Sequence, residues 1–161
     1  MQFLRNLIRP KHGILVSHEV KDIITRKKLQ YCRFADTHQW QNMSNIAFPE
    51  ATFRVFREDG KFMNLEGRDF NFASTDEFTR FVGGYDKVMT SVHMIGSGEL
   101  EQTQTDEVKA IWSLVFQLGI KGPDIEHHTG GGYYHETWRR NGDDWFLRDM
   151  KLEMTFYRVI K

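Results

Sequence analysis

GYYHETWRRNGDDWFLRDMKLEMTFYR, residues 132–158, is the stretch whose reading decides the fold. At its centre Asn141-Gly142 is a strong signal for a two-residue hairpin, so Gly132 to Arg140 and Asp144 to Arg158 are read as antiparallel neighbours. In the second arm Phe146, Met150, Leu152, Met154 and Phe156 share one face, and Lys151, Glu153 and Thr155 share the other. Such alternation marks a strand with one buried and one wet side. Arg148 falls on the apolar side and is expected to point inward.

Working outward, the same period of two runs through Ser91 to Thr103 and Glu107 to Ile120, so the second half of the chain is a sheet. Gly130-Gly131-Gly132 precedes a strand rather than a helix and reads as a flexible turn. The first half has helical spacing instead. Ser17 is a candidate N-cap, and Val20, Ile23, Ile24, Tyr31, Phe34 and Ala35 recur as one face of a helix reaching about residue 38. Trp40 to Ala47 forms a short second helix closed by Pro49. Phe53 to Arg57 and Lys61 to Leu65 flank a second hairpin turn at Asp59-Gly60. Ser74-Thr75-Asp76-Glu77 is a capping box, and Phe78, Phe81, Val82 and Tyr85 continue it as a third helix ending near Met89. Helices first and a long sheet afterwards give an α+β fold: a cone-shaped α+β barrel, with N-terminal helices packed across the concave face of a curved antiparallel sheet. Its open end is a natural pocket.

Composition sets the outer limits. With 161 residues, 22 basic and 22 acidic, the chain is read as a single domain over 1–161, with residues 1–16 as an N-terminal extension. Zero net charge argues against a general nucleic-acid binder, whose affinity comes from neutralising many phosphates together. No stretch approaches the length of a membrane span, and Met1 to Pro10 carries Arg5 and Arg9 where a secretion signal needs an uninterrupted apolar core. Cys32 is the sole cysteine, so no internal disulfide forms, and the expectation is a reducing, cytoplasmic location. Residues 1–33 hold eight Lys or Arg against Glu19 and Asp22, a surplus read as a solvated helix face.

The strong motifs of cofactor chemistry are missing: no glycine-rich phosphate loop before a helix, no paired CxxC, no HExxH. His127, His128 and His135 lack an acidic or Cys partner at ligand spacing, so neither a metal nor a cofactor is expected. What remains is a polar set on otherwise apolar elements: Tyr31 and Asp36 late in the first helix, His93 on a strand, and Arg148 on the last strand. By spacing alone each also fits a structural role. Asp36 fits as a helix end, His93 as a satisfied interior histidine, Arg148 as a carboxylate partner and Tyr31 as a core aromatic with a wet hydroxyl.

Three segments, Tyr31-Cys32-Arg33-Phe34-Ala35-Asp36-Thr37-His38-Gln39-Trp40, Ser91-Val92-His93-Met94-Ile95-Gly96, and Tyr134-His135-Glu136-Thr137-Trp138-Arg139-Arg140 leading to Trp145, resemble the SnoaL-like family of the nuclear-transport-factor-2-like superfamily. The resemblance covers nearly everything after residue 17. Members include scytalone dehydratase, bile-acid 7α-dehydratase, hexachlorocyclohexane dehydrochlorinase and polyketide cyclases, all free of cofactor. The resemblance implies a dehydratase or isomerase with an Asp36–His93 dyad, Tyr31 as a further active-site hydroxyl, and Arg148 as an inward cation, offset by two residues from the pocket arginine of one of the relatives that have one. It implies a small hydrophobic substrate of polyketide, steroid or aromatic type, as in secondary metabolism, and a homodimer or homotrimer. The alternatives within the same fold are a polyketide cyclase and a non-catalytic assembly subunit like the small subunit of ring-hydroxylating dioxygenases.

Overall fold

The computed structural model describes residues 15–122 and 126–160. The segment Met1 to Pro10 and nearly all of the extension read over 1–16 lie outside the described residues. Ser17 accepts the Val20 N–H at 3.3 Å and opens α1, His18–Asp36, satisfying a donor that no preceding turn reaches. Ile24, Tyr31, Phe34 and Ala35 are buried along one face, as their spacing predicts. The basic surplus is not wholly solvated. Lys21, Arg26 and Arg33 are exposed, but Lys27 and Lys28 turn inward to Asp144 and Glu136 at 2.8 and 2.5 Å.

Past Asp36 the chain turns through His38, at φ 57°, into a short 3₁₀ helix, Trp40–Asn45. Ala47 then begins β1, Ala47–Phe56, with Pro49 inside it rather than closing a helix. The β1 pairing is irregular between Ala47 and Thr52, where a missing N–H costs no ladder bond. Asp59-Gly60 does turn the chain, with Gly60 at φ 76°. The returning arm pairs only Phe62 with Phe56. It then leaves for a separate miniature hairpin, β2 Asn64–Leu65 with β3 Arg68–Asp69, before β4, Asn71–Phe72, returns to β1. Ser74 accepts the Glu77 N–H at 3.1 Å and starts α2, Thr75–Gly83. This helix stops before the expected Met89, at a Gly83-Gly84 pair of poor helical propensity.

Five strands complete the sheet: β5 Met89–Ile95, β6 Glu99–Gln104, β7 Glu107–Ile120, β8 Glu126–Asn141 and β9 Asp144–Ile160. The single strand expected over Ser91 to Thr103 is two, parted at Gly96 to Gly98, where a Cβ on Gly98 would stand 2.3 Å from the Trp112 ring. The order is β4-β1-β9-β8-β7-β5, with β6 also on β7. Pairing is antiparallel except between β1 and β9, and the sheet is curved but not closed, so the expected barrel stays open. Helix α1 packs against β5 and β9. Among the described residues, no helix is long and apolar enough to cross a membrane.

Two further expectations are corrected by register. Gly130-Gly131-Gly132 is no turn but the middle of β8, paired with β7 on one side and β9 on the other. A Cβ on Gly132 would stand 2.0 Å from the Glu153 carbonyl oxygen, so glycine is what this close approach requires. Arg148, expected inward, is exposed and donates to the Glu50 carbonyl at 2.8 Å. The β8–β9 register shifts between Thr137 and Trp138, which makes Arg148 the extra residue of a bulge and reverses the alternation. Trp145 and Leu147 therefore point inward before the bulge, and Met150, Leu152 and Met154 after it. A second shift at Gly131/Gly132 reverses it again, so Tyr157, not Phe156, faces the interior.

Candidate active site

Between the helices and the concave sheet lies a cavity of about 200 Å³ with almost entirely apolar walls, to which Val55, Phe70, Phe78, Phe81, Phe116, Leu118, Met150, Leu152 and Met154 contribute. Its polar groups form three centres, one of them Asp86 accepting the Trp40 indole N–H at 2.8 Å with His38 Nδ1 3.8 Å away. The first joins the end of α1 to β5. Asp36, the last helical residue, accepts from His93 Nδ1 at 2.6 Å, from the Ser91 hydroxyl at 2.8 Å and from the His93 backbone N–H at 2.9 Å. Ser91 and His93 are two residues apart on one strand, so both face the same carboxylate. Burial would push the Asp36 carboxyl up, but the hydrogen bonds and charge of His93, with Ser91, outweigh it and hold it below the usual carboxylate range. With Nδ1 engaged, Nε2 is the nitrogen left to the cavity.

Tyr31, one turn and a little earlier on α1, lines the same cavity. Its ring meets Tyr134 edge to face at 6.2 Å. Burial first, then the neighbouring Cys32 and Glu136, push its phenol far up, so it stays a hydroxyl donor. Beneath it Lys28 Nζ lies 3.2 Å from the Tyr134 ring centre and 4.5 Å from that of Tyr31. Burial also raises the Cys32 thiol to about 11.

The second centre was not anticipated. His128, read only as a histidine without ligand partners, lines the cavity with Tyr157. Its Nδ1 bonds the Tyr157 hydroxyl, and its Nε2 lies 3.1 Å from Glu126. Burial, then the charge of Glu126, raises the Tyr157 phenol, with Arg57 acting the other way. Glu126 two residues before His128 was a readable same-face signal, but Tyr157 was hidden by the second bulge. His127 is exposed and His135 pairs with Glu153 at 3.0 Å, both away from the cavity. Of the four residues expected to form a site, the structure brings Asp36, His93 and Tyr31 together and leaves Arg148 outside.

The fold recurs in solved structures of low sequence identity. A protein of Novosphingobium aromaticivorans assigned as a scytalone dehydratase has 12% identity and a TM-score of 0.67 over 85% of each chain. A hexachlorocyclohexane dehydrochlorinase of Novosphingobium barchaimii has 12% identity and a TM-score of 0.66 over 88% of each. In sequence, a Gibberella zeae protein described as a probable cyclase is 39% identical over 146 residues, 90% of this chain and 97% of that one. The SnoaL-like domain model matches residues 17–151, and with that match the chain belongs to the SnoaL-like family.

Proposed function

We propose that this protein is a cofactor-independent acid-base enzyme of dehydratase or isomerase type, acting on a small hydrophobic substrate of polyketide, steroid or aromatic character. The observation that carries the reading is the 2.6 Å contact between Asp36 and His93 Nδ1 at the wall of an apolar cavity. A carboxylate on Nδ1 fixes the tautomer whose Nε2 is a base and stabilises the imidazolium that forms. His93 Nε2 takes a proton α to a carbonyl, or vinylogous to one, and the electron pair moves to the carbonyl oxygen. The Tyr31 hydroxyl donates to that oxygen as it becomes an enolate. Collapse of the enolate then expels a β-hydroxyl, which takes a proton from an acid and leaves as water, or relocates the double bond by protonation at another carbon.

A second reading, cyclisation, is favoured by the 39% identical relative described as a cyclase. It shares the first step, with the enolate carbon attacking a second carbonyl of the same molecule. The experiment is a panel of aromatic and polyketide-like ketones incubated with the protein in heavy water. Protein-dependent deuterium at the α carbon is expected, and the product mass separates water loss from isomerisation or closure. A panel left without exchange counts against the dyad. Tyr31→Phe is expected to lower kcat by roughly 100-fold, the lower end of the loss of one oxyanion donor. A wild-type kcat in that variant makes Tyr31 a packing residue.

The active unit is proposed as a homodimer or homotrimer. On the outer face of the sheet Met94, Val115 and Phe156 form a cross-strand row with Gly131, each of the three at least 37% exposed. A contiguous exposed apolar row of this kind is a candidate contact with another chain. Met94→Glu combined with Val115→Lys is expected to shift the protein to monomer in light scattering, and an unchanged mass would place the contact elsewhere.

A further inference from the structure

One inward row crosses the floor of the cavity. His93 on β5 stands opposite Phe116 on β7, Phe116 opposite Gly130 on β8, and Gly130 opposite Tyr157 on β9. Gly130 contributes no side chain, and a Cβ there would stand 2.4 Å from the tip of the Phe116 ring. The Phe116 ring therefore lies over that gap, its centre 6.1 Å from the His93 ring and 6.3 Å from the Tyr157 ring. His93 and Tyr157 stand three strands apart, and with Phe116 between them their ring centres are at most about 12 Å apart. A flat apolar ring separates two polar centres, each a ring nitrogen or hydroxyl backed by a carboxylate.

We infer that Tyr157, positioned by His128 and Glu126, is a second catalytic group that binds and protonates an oxygen at the far end of a flat, oxygenated substrate of at least two fused rings, whose acidic carbon lies at His93. The inference rests on the acid-base reading of the dyad and adds the acid to its base. Phe116 is the surface against which the ring system stacks. Glu126 holds the His128 Nε2–H, and in the imidazolium form His128 donates its Nδ1–H to the Tyr157 oxygen, leaving the phenol O–H for the substrate. In the reaction His93 Nε2 gains the carbon-bound proton. The Tyr157 O–H bond breaks as its proton joins a hydroxyl that departs as water, or a carbonyl oxygen that becomes a hydroxyl on ring closure. The His128 Nδ1 proton refills the phenol. Solvent then returns a proton to His128 and takes one from His93, so the enzyme ends as it began.

The test separates the two poles. With 2-naphthol and 2,6-dihydroxynaphthalene as probes, titration calorimetry is expected to show wild-type protein binding the dihydroxy compound about 10-fold tighter, the worth of one further hydrogen bond. Tyr157→Phe, and His128→Leu in part, should abolish that advantage and leave 2-naphthol affinity unchanged. With the ketone that exchanges fastest, at saturating concentration, Tyr157→Phe should lose roughly 100-fold in product formation and far less in deuterium entry at the α carbon. His93→Gln should do the reverse, stopping exchange while the second hydroxyl of the probe still strengthens binding. Equal affinities of wild type for the two probes, or Tyr157→Phe with undiminished product formation, would overturn the inference. Absence of exchange in wild type with the probe advantage intact would instead remove the dyad reading and leave the second pole standing.

Discussion

Replacing His93 by alanine is expected to lower turnover by about a thousand-fold or more while the far-ultraviolet dichroism stays that of the wild type. A positioned general base contributes roughly 10²- to 10⁴-fold, and no other imidazole pairs with Asp36 among the described residues, His38 being turned to Asp86. His93 is only partly buried, with 19% of its side chain exposed, so truncation opens the cavity wall without emptying the core. Asp36→Asn is expected to be nearly as severe. An amide offers Nδ1 an N–H as readily as an oxygen, and the tautomer that puts a proton on Nε2 has no base to offer. Deuterium entry at the α carbon measures the loss directly, and partial recovery of His93→Ala by added imidazole would identify the missing group as the base. A fully active His93→Ala protein removes the dyad from the mechanism.

The largest stability effect is expected from a residue that does no chemistry. Lys28 and Glu136 have 1% of their side chains exposed and lie 2.5 Å apart, and the second Glu136 oxygen accepts the indole N–H groups of Trp112 and Trp138 at 2.8 and 2.9 Å. Lys28→Met leaves this carboxylate buried without its cation, a change that costs about 3–5 kcal/mol. Urea unfolding followed by tryptophan fluorescence measures it. The double variant Lys28→Met with Glu136→Leu should recover part of the loss but not all, since each indole N–H then loses its partner at about 1–3 kcal/mol. A single variant as stable as wild type would mean that the pair is hydrated.

Local signals carried most of the fold. The Ser17 and Ser74 caps, the turns at Asn141-Gly142 and Asp59-Gly60, and the alternation of β5 and β7 each involve residues within a few positions of one another, and each holds in the structure, although in both turns the glycine alone takes a positive φ and Asn141 stays in β8. What escaped depends on contacts between distant segments. The parallel neighbour of β9 is β1, Thr52 lying 97 residues from its partner Asp149, and nothing near Thr52 announces that partner. Bulges are set by both strands together, so counting along β9 alone put Arg148 inside and Phe156 in place of Tyr157. The same applies to Lys28. As one basic residue among several on a helix it reads as solvated, and only the buried glutamate of β8 explains why it is not. Asp36, His93 and Tyr31 stand out as polar residues on apolar elements, but their association came from a family resemblance, because no spacing rule links the end of one helix to a strand more than fifty residues later.

Gly130 has a consequence for what the hollow admits. The hydrogen atom it carries where other residues carry a carbon leaves just enough headroom for a neighbouring benzene ring to recline. Any relative bearing alanine or serine there must tip that ring upward, shrinking the berth from a slot for sheet-like molecules to a niche for stubby ones. Cargo size across the lineage would then follow a single codon.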